Sequence, residues 1–529
     1  MGHPTGAITI PLLLLVAALS VVARRFRVPS PMLMLVAGTA IAFVPWIPPV
    51  RIEPSLVLLW LLPPLLYSSG VGMSWRGFRS NLRPILLLAI GCVLFTASAV
   101  AIVAHYAVGV PWAVGFVLGA IVSPPDAVAP IAILRTLRLP RRLVTVLEGE
   151  SLVNDATALV TLSFATAAVV TGSFSLTSAA LEFVAIVAGE IAFGVAIGWI
   201  MLRVRHFAAD ARAEILLALA TPYIAFWPAH AIGGSGVIAC VVAGLYVSWN
   251  GRRLIRPATR LQGYFIWDLA VWATEAVIFL LAGLQARQVF AALAEGQWSR
   301  ALIAGALTTL AVVVVRFVWV FPATYLPRML VSRIARAEPR PNWRLPFLVA
   351  LCGLRGAVSL VAALLIPATL DGAPFPERNL VLFATYCVVA CTLIGLGTAL
   401  PAVVRGLRID RMSADEATRN AHDERRARLE GIDAMLRVVG PGAPSAHETR
   451  RRIADDLQQR AQKIRGRIDG HPVAADEEDD ALWLEAIEAE REAIAAAYEA
   501  NRITDEARRR IERELDLEEA HLRERASSA

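Results

Sequence analysis

The sequence predicts an all-α, polytopic membrane protein. Of the 529 residues, 57% are hydrophobic and only 18% are charged, and the mean hydropathy is +0.58. Ordinary soluble domains carry about 25% charged residues, so the composition argues against a soluble enzyme. The apolar residues are also grouped into long stretches, and about 20 such residues in a helix cross a hydrocarbon core that is ~30 Å thick.

Thirteen stretches qualify as membrane spans by this measure. The eighth and ninth are short, so a count of twelve stays open. The first apolar run precedes Arg24, Arg25 and Arg27, whereas a cleaved signal peptide carries its positive charge ahead of the run, so we expect a first span there. The spans begin near residues 7, 29, 54, 84, 111, 143, 181, 213, 234, 264, 300, 345 and 378.

The arginines of the loops predict the orientation of these spans. If the amino terminus lies outside, alternate loops on the cytoplasmic side hold 22 arginines and the opposite loops hold four. Positive charge is retained on the cytoplasmic side during insertion. The asymmetry therefore predicts thirteen spans, an outside amino terminus and a cytoplasmic carboxyl terminus.

Charge divides the chain into two predicted parts. Residues 1–403 hold 28 basic and 15 acidic residues, whereas residues 404–529 hold 23 basic and 29 acidic residues. We predict a transmembrane domain over 1–403 and a charged, cytoplasmic helical tail over 404–529, whose apolar residues at helical spacing call for a partner surface. The sequence leaves undecided whether the tail is regulatory, dimerising or only solvated. The net charge of +7 averages two unlike parts, so it does not indicate a nucleic-acid partner.

Several ionisable residues are predicted to lie deep within the spans. Each costs ~2.5–3.5 kcal/mol on insertion scales and is therefore a candidate functional residue. Glu190 stands alone in its span, and a helix-contact or dimer-face role is as reasonable for it as a functional one. The group comprises Asp126, Glu150, Asp155, Glu190, Glu275, Arg316 and Arg355.

The sixth span carries the densest polar group, over Glu148–Asp155. On a helix, Ser151 and Asp155 share one face because they are four residues apart. A hydroxyl and a carboxylate are hard oxygen ligands that suit a small cation. Glu150 and Asn154 share the neighbouring face, where the carboxylate can pair with a buried arginine. The alternative is a set of polar residues that only packs helices together.

The fifth and twelfth spans are predicted to be interrupted. Pro124, Pro125 and Pro130 cannot continue an ordinary helix, because proline lacks the amide donor and clashes one turn back. The Gly353–Ser359 stretch of the twelfth span is a weaker counterpart. Two interrupted spans at corresponding places are typical of secondary transporters with inverted repeats. Spans 1–6 would then repeat as spans 8–13.

The same residues resemble a known family. The sequence is similar to the bacterial sodium/proton antiporters of the monovalent cation/proton antiporter superfamily, in the branch shared with animal sodium/proton exchangers. The Glu-Ser-x-x-Asn-Asp pattern of the sixth span is the most specific element. The matching stretches are Leu62–Tyr67, Ser123–Val128, Glu148–Asp155, Gly353–Ser359 and, more weakly, Phe279–Gln285.

The resemblance implies exchange of a monovalent cation for H⁺ across the bacterial plasma membrane, in pH and sodium homeostasis. Na⁺ is the expected cation and K⁺ is the alternative. The resemblance also implies a homodimer in the lipid bilayer, with spans 5 and 12 crossing at unwound segments. The ions are substrates, and no cofactor is expected.

It further implies a role for each polar residue. Asp155 would carry the cation and the proton, and Asp126 and Ser151 would complete the Na⁺ site. Many relatives have Thr where this chain has Pro125, so Ser123 or water would replace that ligand.

Three further expectations concern ion pairs and charge. Glu150 and Arg355 would form a structural ion pair. Asn154 stands where electrogenic relatives have a second Asp, which implies electroneutral one-for-one exchange. From the residues alone, Glu275 and Arg316 can form a second buried pair.

Two other classes of protein, a cation channel or sensor and an intramembrane enzyme, fit the sequence less well. A cation channel or sensor, with the tail as output module, needs a pore ringed by repeated polar groups, and the sequence contains no such repetition. An intramembrane enzyme needs a nucleophile beside its base, and no Ser/His or Cys/His pair falls in facing spans. The sequence therefore favours a transporter over a channel and over an enzyme.

Overall fold

In the computed structural model of the protein, helices follow one another from Thr5 to Gly406, with one hairpin of two-residue strands among them. Apolar chains favour helices in a membrane because a helix satisfies its own backbone hydrogen bonds. The structure describes residues 5–26, 28–47, 57–127, 130–131, 139–208, 210–255, 257–293, 296–338, 340–370 and 373–409, and in the carboxyl-terminal part residues 422, 425–426, 429–437, 454–459, 461–462, 464–465, 483–494, 511, 514–520 and 522.

The amino-terminal half contains eight helices within the described ranges. α3 begins with a π-helical turn and α5 contains two such turns. The bounds are α1 Thr5–Phe26, α2 Ser30–Ala42, α3 Val57–Gly72, α4 Trp75–Ser80, α5 Leu82–Val108, α6 Trp112–Val122, α7 Arg141–Thr171 and α8 Leu176–Phe207.

The second half continues in the same manner. The strands β1 (Thr369–Leu370) and β2 (Ala373–Pro374) form an antiparallel hairpin between α16 and α17. The helices are α9 Ala211–Ala231, α10 Val237–Leu254, α11 Pro257–Leu284, α12 Ala286–Ala291, α13 Trp298–Leu330, α14 Ser332–Ala337, α15 Arg344–Leu351, α16 Ala357–Leu364 and α17 Arg378–Gly406.

The helices confirm a helical protein with several membrane spans. Within the described ranges, six segments are long and apolar enough to cross a membrane. They are α5, α7, α8, α13, α17 and the stretch Gln262–Ala291 of α11 and α12. Four shorter apolar helices accompany them, in α2, α3, α6 and α10. The count of thirteen spans and the inverted repeats stay predictions.

Two pairs of helices cross in close contact at glycines. A Cβ on Gly38 of α2 would lie 2.4 Å from a backbone oxygen of α11 and 3.1 Å from Gly283 Cα. A Cβ on Gly70 of α3 would lie 2.5 Å from a backbone oxygen of α10 and 3.2 Å from Gly244 Cα. Glycine permits this approach because it has no side chain to keep the backbones apart. α2 is thus held against α11, and α3 against α10.

The chain divides into two compact units, Met1–Ala414 and Asp415–Ala529. In the described part of the second unit, helical segments pack in pairs through two small apolar clusters. The amphipathic faces that the sequence predicts near residues 484–487 and 511–522 therefore cover each other within this unit. One cluster contains Ile432, Leu457 and Ala461, and the other contains Ile487, Leu515 and Leu522.

Candidate functional site: two interrupted helices beside buried carboxylates

Two non-helical segments meet inside the first unit. α6 ends at Val122 and residues 123–127 leave the helix, because Pro124 and Pro125 have no amide hydrogen to continue it. α15 ends at Leu351, and residues 352–356 are non-helical before α16 begins. These are the two places at which the sequence predicts interrupted spans.

Asp126 joins the two segments. Its backbone N–H donates to Leu354 O at 2.8 Å. Gly356 lies against its side chain, since a Cβ on Gly356 would be 2.1 Å from Asp126 Oδ2 and 2.5 Å from Asp126 Cβ. Only glycine at position 356 therefore leaves room for the Asp126 carboxylate in this position.

Arg355 satisfies backbone carbonyls that the interrupted helices leave without helical partners. Its Nε donates to Val122 O at 2.5 Å and its Nη1 donates to Gly353 O at 2.9 Å, and its backbone N–H donates to Thr392 Oγ1 at 3.1 Å. Arg355 is only 1% exposed. An unsatisfied carbonyl at this depth costs free energy, so the guanidinium stabilises both non-helical segments at once.

The predicted Glu150–Arg355 ion pair is wrong. Glu150 instead binds Arg316 of α13 in a two-fold hydrogen bond, with Nη1 to Oε1 at 2.6 Å and Nη2 to Oε2 at 2.9 Å. Both side chains are 2% exposed. The physical reason is that Arg355 donates to Gly353 O of its own non-helical segment and to Val122 O at the end of α6, whereas Arg316 stands on the continuous helix α13 and reaches Glu150.

Arg316 is also not the partner of Glu275, contrary to the pair that the sequence allows. Its remaining donors bind Val349 O of α15, from Nε at 3.3 Å and from Nη2 at 3.1 Å. One guanidinium thus connects α7, α13 and the end of α15. Glu275 is half-buried on α11, and its role stays a prediction.

The residues predicted to hold the cation stand on α7 and on the first interrupted segment. Asp155 is 9% exposed on α7, and Ser151, one turn earlier, is half-buried. Asp126 is close enough to Asp155 for the charges of the two side chains to interact. Ser123 is buried and its hydroxyl donates to Ala120 O at 3.0 Å, which leaves its oxygen lone pairs able to accept.

Asn154 ties α7 to the first interrupted segment. Its Nδ2 donates to Pro125 O at 2.7 Å, and it is fully buried. Pro125 therefore contributes through its carbonyl, where a threonine would also offer a hydroxyl. Within the described part of the chain, Asn154 Oδ1 is buried and makes no hydrogen bond, so it remains available as an acceptor.

The two buried carboxylates of α7, Glu150 and Asp155, differ in whether they can bind a mobile ion. Glu150 is neutralised by Arg316 and is not available to a mobile ion. Asp155 is buried, with Ser151 one helical turn earlier, and Asp126 is close enough for the two charges to interact. Carboxylate and hydroxyl oxygens are the type of ligand that suits a small cation.

Glu190 has a structural role that the sequence did not assign. Its carboxylate accepts hydrogen bonds from the backbone N–H groups of Ser235, Gly236, Ile238 and Ala239, at distances of 2.5 to 3.3 Å, and from Ser235 Oγ. A carboxylate on α8 thus caps the start of α10, where amides have no helical partner. The Gly-Gly-Ser-Gly run before α10 was the available signal.

Glu214 is a further buried acid that sequence reasoning missed. It is 1% exposed, accepts from Thr259 Oγ1 at 2.6 Å and lies 3.8 Å from Arg205 Nη2. The position of both charged residues near span ends suggested solvent exposure. No pattern in the sequence indicates that Glu214 contacts Thr259 of α11.

Residues 12–406 match the family described as "Sodium/hydrogen exchanger, transmembrane". An uncharacterised Na⁺/H⁺ exchanger of Mycobacterium tuberculosis is 33% identical over 517 residues, which cover 95% of this chain and 93% of that protein. A sodium, potassium, lithium and rubidium/H⁺ antiporter of Bacillus subtilis is 33% identical over 404 residues, covering 74% of this chain and 60% of that protein.

A solved structure shares the fold. The sodium proton antiporter MjNhaP1 from Methanocaldococcus jannaschii superposes with a TM-score of 0.62 at 18% identity, covering 76% of this chain and 98% of that chain. The resemblance inferred from the sequence is confirmed by the family match, which extends over most of the first unit. The chain belongs to the family of transmembrane sodium/hydrogen exchangers.

Proposed function

We propose that the protein is a secondary active transporter that exchanges Na⁺ for H⁺ by alternating access. The observation that carries the proposal is the buried Asp155 carboxylate beside Asp126, at the junction of two interrupted helices. Ser151 and Ser123 supply further oxygen ligands in this proposal. Na⁺ and H⁺ are substrates, and no cofactor takes part.

Competition for Asp155 couples the two fluxes. An empty, ionised carboxylate in a buried site is unfavourable, so it binds either Na⁺ or a proton. In both loaded states the charge of Asp155 is neutralised, and the site moves between the two sides of the membrane at lower cost than when Asp155 is ionised and empty. The empty site, with Asp155 ionised, does not move across the membrane. Exchange follows from that restriction, and Asn154 leaves one titratable group on this face, which supports electroneutral one-for-one exchange.

The proposal includes two inverted repeats, spans 1–6 and 8–13. Spans 2 and 3 would correspond to spans 9 and 10. The α2–α11 crossing at Gly38 and Gly283 then corresponds to the α10–α3 crossing at Gly244 and Gly70. Equivalent glycine contacts at equivalent helix pairs support this arrangement, and so do the two interrupted segments in contact.

K⁺/H⁺ exchange is the second candidate. The name of the Bacillus subtilis relative includes potassium and rubidium as well as sodium and lithium. The name of another relative, an antiporter of Aphanothece halophytica that is 29% identical over 502 residues, gives only Na⁺. Na⁺ is proposed first because a small cation offsets the charge of a compact carboxylate site most strongly.

The remaining parts of the proposal concern the setting. We place the protein in the bacterial plasma membrane as a homodimer, with its amino terminus outside and its carboxyl terminus in the cytoplasm. Its exchange would serve pH and sodium homeostasis. The tail over residues 404–529 would regulate transport or assist dimerisation.

The test uses purified protein in liposomes that carry a pH-sensitive dye. NaCl, LiCl or KCl is added to wild type, to Asp155→Asn and to the control Asp268→Asn, which changes an exposed aspartate on α11. We expect cation-driven proton movement in wild type and control, and none in Asp155→Asn. Exchange by a folded Asp155→Asn protein would contradict the mechanism, and the most effective salt identifies the cation.

A further inference from the structure

A cavity of about 140 Å³ lies between α5, α7, α13 and α15, apart from the proposed ion site. Most of its wall is aliphatic, and none of its lining residues is aromatic. Three arginines, Arg83, Arg142 and Arg328, stand among these aliphatic residues. The aliphatic wall includes Leu87, Leu143, Val146, Val320, Leu345 and Val349.

The three arginines converge on one carboxylate oxygen. Glu338 Oε2 lies 2.9 Å from Arg83 Nη2, 2.7 Å from Arg142 Nη2 and 2.8 Å from Arg328 Nη2. The cluster therefore contains three positive charges and one negative charge. Glu338 follows α14 directly, so the loop between α13 and α15 supplies the only acid in these contacts among the described residues.

The donors of the cluster exceed what Glu338 can satisfy. A guanidinium has five N–H donors. Arg328 is only 6% exposed, and its Nε, like that of Arg83, is buried and makes no hydrogen bond with the described residues. Buried donors without acceptors cost free energy, so the cluster is suited to an additional anion with several oxygens.

We propose that this cavity binds the phosphate group of an anionic phospholipid. A phosphate offers oxygens to all three guanidinium groups and matches their planar donor geometry. The aliphatic wall suits the first carbons of the lipid's tail. α7 also begins at Arg141 beside the cavity, and the start of a helix favours an anion.

The wall excludes two other sources of phosphate. A nucleotide base binds by stacking on aromatic or guanidinium planes, and here the wall around the arginines is aliphatic and has no aromatic residue. Inorganic phosphate would leave the aliphatic wall without a partner. Basic pockets between membrane helices are a recognised place for anionic lipid headgroups.

Glu338 competes with the phosphate in this proposal. Its carboxylate occupies the position at which the phosphate would meet the three arginines, so binding displaces it or shares the donors with it. Removing its charge by Glu338→Gln therefore strengthens lipid binding. Removing two of the arginines weakens it.

Lipid binding in this cavity can be measured through the unfolding temperature of the protein. Val146 stands one turn before Glu150 on α7, and Val320 stands one turn after Arg316 on α13. Val349, whose carbonyl accepts from Arg316, also lines the cavity. A bound lipid stabilises the same helices that the buried ion pair connects, so it raises the unfolding temperature.

The experiment titrates the full-length protein in detergent with phosphatidylglycerol, with phosphatidylcholine or with inorganic phosphate, and follows the unfolding temperature. The variants are Arg83→Gln/Arg142→Gln, Glu338→Gln and the matched control Arg76→Gln/Arg79→Gln, which changes exposed arginines of α4. Each lost charged hydrogen bond corresponds to roughly 10-fold in affinity. We expect saturable stabilisation by phosphatidylglycerol in wild type and control, at least about 10-fold weaker binding in the first variant, and tighter binding in Glu338→Gln.

Three results would overturn the proposal. One is equal stabilisation by phosphatidylcholine, whose quaternary ammonium the arginines should repel. Another is unchanged phosphatidylglycerol affinity in both cavity variants. The third is saturation by inorganic phosphate at the same concentration as by lipid, which would assign the site to a free phosphate compound. Glu338→Gln keeps the test decisive if the arginine variant does not fold. None of these outcomes depends on the proposed exchange.

Discussion

Replacing Arg316 by methionine removes the cation that neutralises Glu150 at the centre of the helix bundle. The two side chains share two hydrogen bonds of 2.6 and 2.9 Å, and both are 2% exposed. Methionine fills a similar volume but donates nothing. The Glu150 carboxylate then stays buried without its partner, and two bonds to Val349 O are lost as well.

The magnitude follows from that geometry. Breaking a buried ion pair by removing one partner costs ~3–5 kcal/mol, because the other charge is left uncompensated. Removing both partners costs less, since the uncompensated charge is gone. We therefore expect Arg316→Met to lower stability by about 3–5 kcal/mol and Glu150→Gln/Arg316→Met to recover part of the loss.

A double-mutant cycle measures this coupling. The unfolding free energies of wild type, Glu150→Gln, Arg316→Met and the double variant are compared in detergent, with Arg355→Met carried through the same cycle. We expect a coupling energy of about 1–3 kcal/mol between residues 150 and 316. The 150–355 coupling should be smaller, since the Arg355 guanidinium donates to Val122 O and Gly353 O and not to Glu150.

A larger coupling of Glu150 to Arg355 than to Arg316 would refute this reasoning. So would a double variant that is as unstable as the sum of the two single variants. Either result would show that the hydrogen bonds between Glu150 and Arg316 do not carry the interaction.

Three further predictions address other contacts. Gly356→Ala should reduce exchange at least about 10-fold, because the added Cβ would displace the Asp126 carboxylate. Gly395→Ala, whose Cβ would have no atom within 4 Å, is the control in the same dye assay. Equal exchange activity of the two variants would contradict the geometry. Glu190→Ala should lower the free energy of unfolding by about 3 kcal/mol, and with it the unfolding temperature, because several amide donors lose their acceptor. The control Glu182→Ala, at an exposed position on the same helix, should leave the unfolding temperature unchanged. Asn154→Asp adds a second carboxylate and should make exchange respond to a potassium–valinomycin potential; a response equal to that of wild type would argue against the role of Asn154 in stoichiometry.

The interrupted helices could be predicted because their cause is local. Proline removes a backbone donor wherever the chain places it, so Pro124 and Pro125 end α6 whatever surrounds them. The need to bury the resulting irregular backbone is equally general. These two facts predict that the segment around Pro124 and Pro125 lies in the interior of the protein. The second segment contains no proline, and the glycines of Gly353–Ser359 predict its interruption more weakly.

The partner of Glu150 could not be predicted because its cause is not local. Arg316 and Arg355 both stand in apolar surroundings, 166 and 205 positions after Glu150. Which of them reaches Glu150 depends on how α7, α13 and α15 rotate against each other. The same limit applies to Glu190, whose amide partners precede and begin α10, and to Glu338, two of whose three arginine partners stand on α5 and α7.

The two buried arginines, Arg355 and Arg316, have separate roles that a single arginine could not fill. Arg355 must remain beside Val122 and Gly353 to satisfy the carbonyls of the interrupted segments, so its donors are committed to the backbone. Glu150 sits four residues before Asn154 and five before Asp155, and its charge would otherwise compete with Asp155 for any entering cation. Arg316 cancels that charge from a continuous helix. In the proposed exchange, this separation leaves Asp155 as the carboxylate of α7 that takes up and releases the ion while the backbone around it stays fixed.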